Sequence, residues 1–560
     1  MLHFACVAIV TIAALAALSA QAPSFAHLIV HNATIYTVNA ARPAARAIAV
    51  RGDRIVAVGE DAAVLRLRGP ATRVIDGSSA TIVPGLQDAH GHVGGLGATL
   101  QALDLRGTTS FEQIVGRVRQ RVAATPRGQW IVGRGWDQND WPEKSWPTHE
   151  LLSAVAPEHP VYLTRVDGHA ALVNRKAMEL AGLSRATAEP AGGRIIRGDG
   201  GEPTGVLIDR ADSLVSSRIP PIGREQLEAR LLLADRELRR LGLTMVHDAG
   251  TDGETVEAYG RLIETGRFKT RVYVMLRGSV LSLTPFFDKG PVIGGANPRL
   301  IVRAIKVVAD GALGSRGAAM LEPYSDEPGT TGLLTTPPEE VYAQTLAASK
   351  AGFQTAIHAI GDRGNRIAMD TFERVQREVP GARALRLRVE HAQILDAAEM
   401  PRFARLGIVA SMQATHATSD MPWVADRIGA ARTAEGAYAW QTLLRSGVVL
   451  ANGSDFPVED ANPMLGLYAA ITRQDPAGNP PGGWMADQRL SREDALRSFT
   501  LAAAYAAHLE PVLGSLEPGK LADFVVLSKD VMRVPAREIL GTMVRMTVIG
   551  GEIVYEQAER

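Results

Sequence analysis

Two hydrophobic periods alternate along most of this chain. Short, mostly apolar runs recur at Trp130–Arg134, Val161–Arg165, Thr244–His247, Arg271–Leu276, Ala304–Ala309, Gln354–His358, Arg388–His391, Ile408–Gln413 and Val448–Asn452. A further run opens the stretch Ile82–Val93. Runs of this length, bounded by turn residues, predict strands buried on both faces. Between them the apolar positions take helical spacing, most clearly at Arg224–Arg240 and Pro338–Lys350. This alternation predicts an α/β protein built on a (β/α)8 TIM-like barrel. The candidate strands exceed eight, so some must lie outside the barrel.

The two ends of the chain carry a different pattern. His27–Val38 alternates as a strand, Ala47–Val58 forms a hairpin turning at Gly52-Asp53, and Val74–Gly77 adds a short strand. Leu521–Leu527 and Val544–Tyr555 are their counterparts at the far end. Neither group has enough partners of its own. Residues 27–83 and 510–560 are therefore expected to build one composite β-sandwich. Residues 84–509 form the barrel, with an excursion near 172–212, where glycine and charge accumulate.

The first residues differ again. Val7–Leu18 is apolar and too short for an ordinary bilayer-spanning helix, and Ala20-Gln21-Ala22 follows as an A-x-A site. Residues 1–22 are expected to be a signal peptide cleaved near Ala22, which implies export to a periplasm and no stable membrane insertion afterwards. No Lys or Arg precedes the run. Cys6 is the sole cysteine, so the mature chain would hold no disulfide. Formal net charge is +0 over 560 residues, which gives no electrostatic footprint for nucleic acid or an anionic membrane. A small-molecule partner is expected instead.

The candidate chemistry starts at I-V-P-G-L-Q-D-A-H-G-H-V, residues 82–93. In extended backbone, His90 and His92 point to one side, as two metal ligands must. His358, His391 and Asp455 end later apolar runs, where barrel enzymes collect their reactive groups. Four imidazoles and a carboxylate suit Zn²⁺ or a similar divalent ion, one or two per chain. Such an ion lowers the pKa of its water from ~15.7 toward ~7. Asp455 is the expected general base. Lys306, inside an apolar strand, has two readings that spacing leaves even. It is a carbamylated bridge between two metals, or it pairs with Asp310 or the barrel floor. Trp136, Asp137 and His169 follow strands and are expected at the substrate, and His416 is expected to face the pocket. Arg316 binds a substrate carbonyl or carboxylate, or holds Asp310. His247 is expected to be structural.

These features resemble the amidohydrolase superfamily, through P-G-L-Q-D-A-H-G-H, His358, His391, Asp455 and the terminal G-S-L-E-P-G-K-L-A-D-F-V-V-L of residues 514–527. Longer motifs are similar to the family 3 branch, which includes N-substituted formamide deformylase-like enzymes. They are Gly135-Trp136-Asp137, Asp167-Gly168-His169, P-T-G-V-L from Pro203, K-V-V-A-D-G-A-L-G-S-R from Lys306, H-A-I-G-D-R from His358 and E-H-A-Q from Glu390. The resemblance implies a metal-dependent hydrolase of C–N bonds. His90, His92, His358, His391 and Asp455 would be its ligands, with Lys306 as the carbamylated bridge of binuclear relatives. By analogy it implies a homodimer. An N-substituted formamide, N-acyl amine, cyclic amide or carbamate all remain open as substrate. Two other readings stand beside it. A mononuclear zinc deaminase would need a Glu soon after its third histidine, and His358 is followed by Ala-Ile-Gly-Asp. A barrel that binds without catalysis would not need every candidate ligand.

Overall fold

The computed structural model describes residues 25–78 and 80–558, so the expected signal peptide lies outside the described residues. Eight parallel strands form the central sheet: β1 Leu86–Gly91, β2 Leu243–Thr251, β3 Arg271–Leu276, β4 Leu300–Val308, β5 Gln354–Ala359, β6 Arg388–His391, β7 Val409–Gln413 and β8 Leu450–Gly453. Each pairs in parallel with the next. β8 returns to β1 through side chains and two backbone bonds just past the strand ends, the second from His92 N–H to Phe456 O at 2.8 Å. Asp455 N–H donates to His90 O at 2.7 Å, and Ser454 Oγ donates to Asp88 Oδ2 at 2.7 Å. The approach is close enough to require glycine at 453, since a Cβ there would lie 2.5 Å from Asp88 Oδ1.

The interior is layered by the two-residue period of the strands. Met245, Tyr273, Ala304 and Ala356 pack at one level against Ala504, Leu509 and Leu513, so the chain after helix Leu501–Ala506 closes that end of the barrel. Two residues further along the same strands stand His247, Lys306 and His358, all buried. The apolar floor and the polar rim are thus one alternation read at two heights. Helices cover the outside. Arg224–Arg240 buries Leu231, Ala234 and Leu238, spaced three and four apart, and Pro338–Lys350 has the bounds its spacing predicts. Burying Leu231 or Leu238 stabilises the fold by roughly 1.5–3 kcal/mol each.

Both ends of the chain meet in two further sheets. Ala26–His31, Ala47–Arg51, Arg54–Gly59 and Arg68–Asp76 form one. The other joins Thr34–Tyr36, Ala44–Ala45 and Thr81–Pro84 to Phe524–Leu527, Val544–Ile549 and Glu552–Glu556. Phe524–Leu527 pairs antiparallel with Thr81–Pro84. Val30, Ile48, Ile82, Phe524 and Val548 share one apolar core. Thr81–Pro84 then runs through Gly85 into β1, so this layer anchors the strand that carries His90.

The excursion expected at 172–212 is larger than its composition signalled. A separate sheet of six strands takes Leu103–Asp104, Ile131–Trp136, Val161–Arg165, Ala170–Val173, Gly193–Arg197 and Pro203–Asp209. The two surplus apolar runs, at Trp130–Arg134 and Val161–Arg165, belong here. They pair with each other in parallel, as barrel strands do. Locally they are indistinguishable from barrel strands, and only their partners set them apart.

Candidate active site

At the C-terminal ends of the barrel strands, histidines surround one carboxylate. His92 Nε2 lies 3.0 Å from Asp455 Oδ1, and His90 Nε2 3.6 Å from the same oxygen. His391 Nδ1 and His416 Nε2 lie 3.9 and 3.8 Å from Asp455 Oδ2. Two donor groups therefore share Asp455: His90 with His92, and His391 with His416. His358 stands beside them, its ring 4.5 Å from that of His391. Lys306 Nζ is 3.0 Å from His90 Nε2, so the lysine faces the cluster and does not pair with Asp310. Asp310 instead accepts from the backbone N–H groups of Ala319, Ile360 and Gly361 at 2.8–3.0 Å.

A layer behind the cluster fixes its geometry. Glu390 bonds His90 Nδ1, which turns Nε2 toward Asp455. Glu390 in turn accepts from Arg388 Nε at 2.7 Å, and Arg388 also reaches His247 Nδ1, Ala89 O and Ser411 Oγ. His247 is a supporting residue here, as its sequence position predicts. Gln413 Oε1 holds His391 Nδ1 at 2.8 Å, and Ala249 O holds His92 Nδ1 at 2.7 Å. Second partners of this kind fix tautomer and ring orientation. Arg388 and Glu390 escaped the sequence reading as functional residues. Their signal was two charges spaced i, i+2 in an otherwise apolar strand.

The backbone is strained at the same place. His391, Ala392 and Asp455 have φ of 75°, 43° and 59°, in the left-handed region. Among the described residues, Nε2 of His358 and of His416 are buried without any hydrogen-bond partner. An unpaired buried polar atom costs about 1–3 kcal/mol, so this donor set is incomplete by itself.

Burial pushes Lys306 down to about 8, against the pull of Glu390 and Asp455. His90 is driven down to about 4 by burial and by Lys306. Burial likewise holds His358 and His391 well below the usual imidazole value. Asp455 goes the other way. Burial alone would raise it, but His90, His92 and His391 hold it well below the carboxylate range. Buried His90, His358 and His391 are thus held neutral beside an ionised carboxylate, the protonation pattern that cation binding requires.

A cavity of about 1270 Å³ opens over the cluster, and the inserted sheet supplies its far wall. Asp137, Arg165, Asp167, His169 and Asp209 line it from that side. Arg165, 1% exposed, lies between Asp137 and Asp167 and bonds both. His169 Nδ1 bonds Asp209 Oδ1 at 2.6 Å, and its ring centre is 5.2 Å from that of His358. Burial pushes His169 down, yet Asp209 more than offsets it and leaves the imidazole above its ordinary value.

Two expected pocket residues are elsewhere. Trp136 is fully buried, its Nε1 donating to Leu163 O at 2.8 Å among Trp141 and Trp146. The strand alternation turns Trp136 into the core of the inserted sheet and leaves its neighbour Asp137 for the cavity. Arg316 reaches neither the cavity nor Asp310. It forks onto Asp326 at 3.0 and 3.1 Å. That partner lies in a loop whose position no local pattern encodes.

Comparison with known proteins agrees with this geometry. The amidohydrolase family model matches residues 73–555. The chain is 35% identical over 557 residues to Protein LONG AFTER FAR-RED 3 of Arabidopsis thaliana, covering 97% of this chain and 94% of that one. It is 31% identical over 534 residues to the putative amidohydrolase YtcJ of Bacillus subtilis, covering 94% and 99%. With N-substituted formamide deformylase of Arthrobacter pascens it shares 28% over 557 residues, covering 95% and 98%. Among solved structures, an uncharacterized metal-dependent hydrolase from Pyrococcus horikoshii superposes with a TM-score of 0.73 at 27% identity, covering 91% of this chain and 99% of that one. With its eight-stranded barrel and rim of histidines, the chain belongs to the amidohydrolase family and is a hydrolase acting on C–N bonds.

Proposed function

We propose that this protein hydrolyses the amide-type bond of a small molecule, with Asp455 as general base. The candidate substrates are an N-substituted formamide, an N-acyl amine, a cyclic amide or a carbamate. The observation that carries the reading is the convergence of His90, His92, His391 and His416 on Asp455, with unpaired buried nitrogens on His358 and His416. That donor set fits a divalent ion, and its nitrogen and oxygen chemistry suits zinc. His90, His92, His358, His391 and Asp455 would hold it, and His416 stands close enough to Asp455 to join them. When bound, such an ion acidifies a water and polarises a carbonyl.

The chain's own residues supply the rest. Asp455 is ionised, sits on a strained turn and faces the cavity, so it can take a proton from water and return it to the leaving nitrogen. Glu390 and Arg388 keep His90 in one tautomer. Lys306, driven down to about 8, offers a neutral amine that carbon dioxide would convert to a carbamate able to bridge two ions. Export remains part of the proposal, resting on Val7–Leu18 and Ala20-Gln21-Ala22.

The test is metal content per chain after reconstitution with and without bicarbonate. Two ions that depend on bicarbonate are the expected result. Because a neutral lysine is the reactive form and burial draws Lys306 down to about 8, uptake at a fixed dissolved carbon dioxide concentration should be faster near pH 8 than near pH 6. One ion, indifferent to bicarbonate and pH, would leave Lys306 a partner of His90 only. No ion under any condition would end the hydrolase mechanism stated here.

A further inference from the structure

The inserted sheet brings one feature to the cavity that the barrel's own chemistry leaves unused. Asp209 ends the strand Pro203–Asp209 with φ 47° and ψ −125°, a conformation that non-glycine residues rarely adopt. Its side chain is 2% exposed. One oxygen accepts from His169 Nδ1 at 2.6 Å, while Asp209 N–H donates to His169 O at 2.8 Å. The two residues are thus joined at both backbone and side chain.

The other oxygen, Oδ2, has no hydrogen-bond partner among the described residues and packs on the barrel loop that follows β4. A Cβ at Gly311 or Gly317 would stand 2.6 or 2.5 Å from it. Glycine at both positions lets the carboxylate seat against that loop. The K-V-V-A-D-G-A-L-G-S-R-G stretch therefore does more than carry Lys306, because it receives Asp209 from the inserted sheet.

The consequence falls on His169. With Nδ1 turned to a buried carboxylate, Nε2 is the ring nitrogen left for the cavity, and it forms no hydrogen bond among the described residues. The imidazole is 21% exposed and lies beside His358. Neutral, this nitrogen accepts a hydrogen bond. Charged, it donates one. In either state it is a polar group aimed at the space beside the metal-type donors.

We propose that His169 contacts the scissile amide group through Nε2, and that Asp209 is the positioning residue that holds it there. This rests on the hydrolase reading above. It makes the inserted sheet a supplier of one catalytic contact, and it makes the barrel loop at Gly311 and Gly317 the seat that sets its aim.

The experiment is a double-mutant cycle in metal-loaded enzyme, with 4-nitroformanilide and 4-nitroacetanilide as probes, whose hydrolysis releases 4-nitroaniline. Asp209→Asn is expected to lower kcat/KM roughly 10- to 100-fold with metal content unchanged. His169→Ala should lower it at least as far, and added imidazole should restore part of kcat. In the His169→Ala background, Asp209→Asn should cost nothing further, because a positioning residue acts only through the group it positions.

Equal losses from Asp209→Asn in both backgrounds, loss of metal, or no rescue by imidazole would each overturn the proposal. Proton NMR of the wild type and Asp209→Asn checks the link without turnover. A downfield His169 Nδ1 proton present only in the wild type is expected, and its absence from the wild type would overturn the positioning role. A metal-loaded wild type that cleaves neither probe, with the NMR signal present, would sink the reading of the substrate as a formamide or N-acyl amine and the substrate contact together. An active wild type with an additive cycle would sink this inference alone.

Discussion

The two walls of the cavity are built on opposite terms. On the barrel side, His90, His92, His391 and His416 crowd a single carboxylate, and His358 and His416 keep buried nitrogens without partners. On the inserted side, the buried Arg165 is matched by Asp137 and Asp167, and His169 is matched by Asp209. One wall is short of a positive centre. The other pairs these charges with one another, with Asp209 Oδ2 the atom left over. Unsatisfied buried groups persist where something else completes them, and satisfied networks persist because they fix a shape. The barrel wall therefore reads as the place where chemistry is assembled. The inserted wall presents fixed contacts to what is bound there.

Substitutions on each wall should separate these roles. The largest effect is expected at the shared carboxylate. Asp455→Asn should lower kcat by about 10³–10⁴ while much of the metal stays, because the histidines remain and the proton acceptor is gone. Steady-state kinetics beside metal analysis checks this, and near wild-type turnover would mean that the base lies elsewhere.

Next comes Arg165→Met on the inserted wall. Two part-buried carboxylates would lose the buried cation between them, which should cost about 3 kcal/mol of stability, the low end for a buried pair. Metal content should not change, since Arg165 touches no proposed ligand. Thermal denaturation followed by metal analysis reads both, and metal loss without destabilisation would erase the contrast between the walls.

The smallest effect sharpens the barrel side alone. Glu390→Gln keeps the shape but weakens the hold on His90, and should lower metal affinity about 10- to 100-fold. Chelator competition measures this, with stability nearly intact. An unchanged affinity would make Glu390 a partner of Arg388 only.

Much of this was legible from local pattern. The short apolar runs marked every barrel strand, because a parallel strand buried on both faces must be apolar along its length. Their polar ends marked His358, His391 and Asp455. Legibility failed where the same local pattern serves two environments. Ile131–Trp136 and Val161–Arg165 have the composition of barrel strands, and pair only with the inserted sheet. Trp136 and Asp137 are adjacent and share a motif, and strand alternation sends one into the core and the other to the cavity. Arg316 sits in a functional-looking motif, and its partner Asp326 takes it away.

The sequence by itself determined the α/β alternation, the strand ends that carry histidines, and the spacing of H-x-H with a late aspartate. All of these follow from residue type and spacing along one strand. Only the tertiary structure decided which nitrogen faces Asp455, that Lys306 meets His90, and that Asp209 holds His169 from another sheet. Those contacts join residues from 40 to more than 300 positions apart. They are fixed by how strands close into a barrel and where an insertion comes to rest, which no local period encodes.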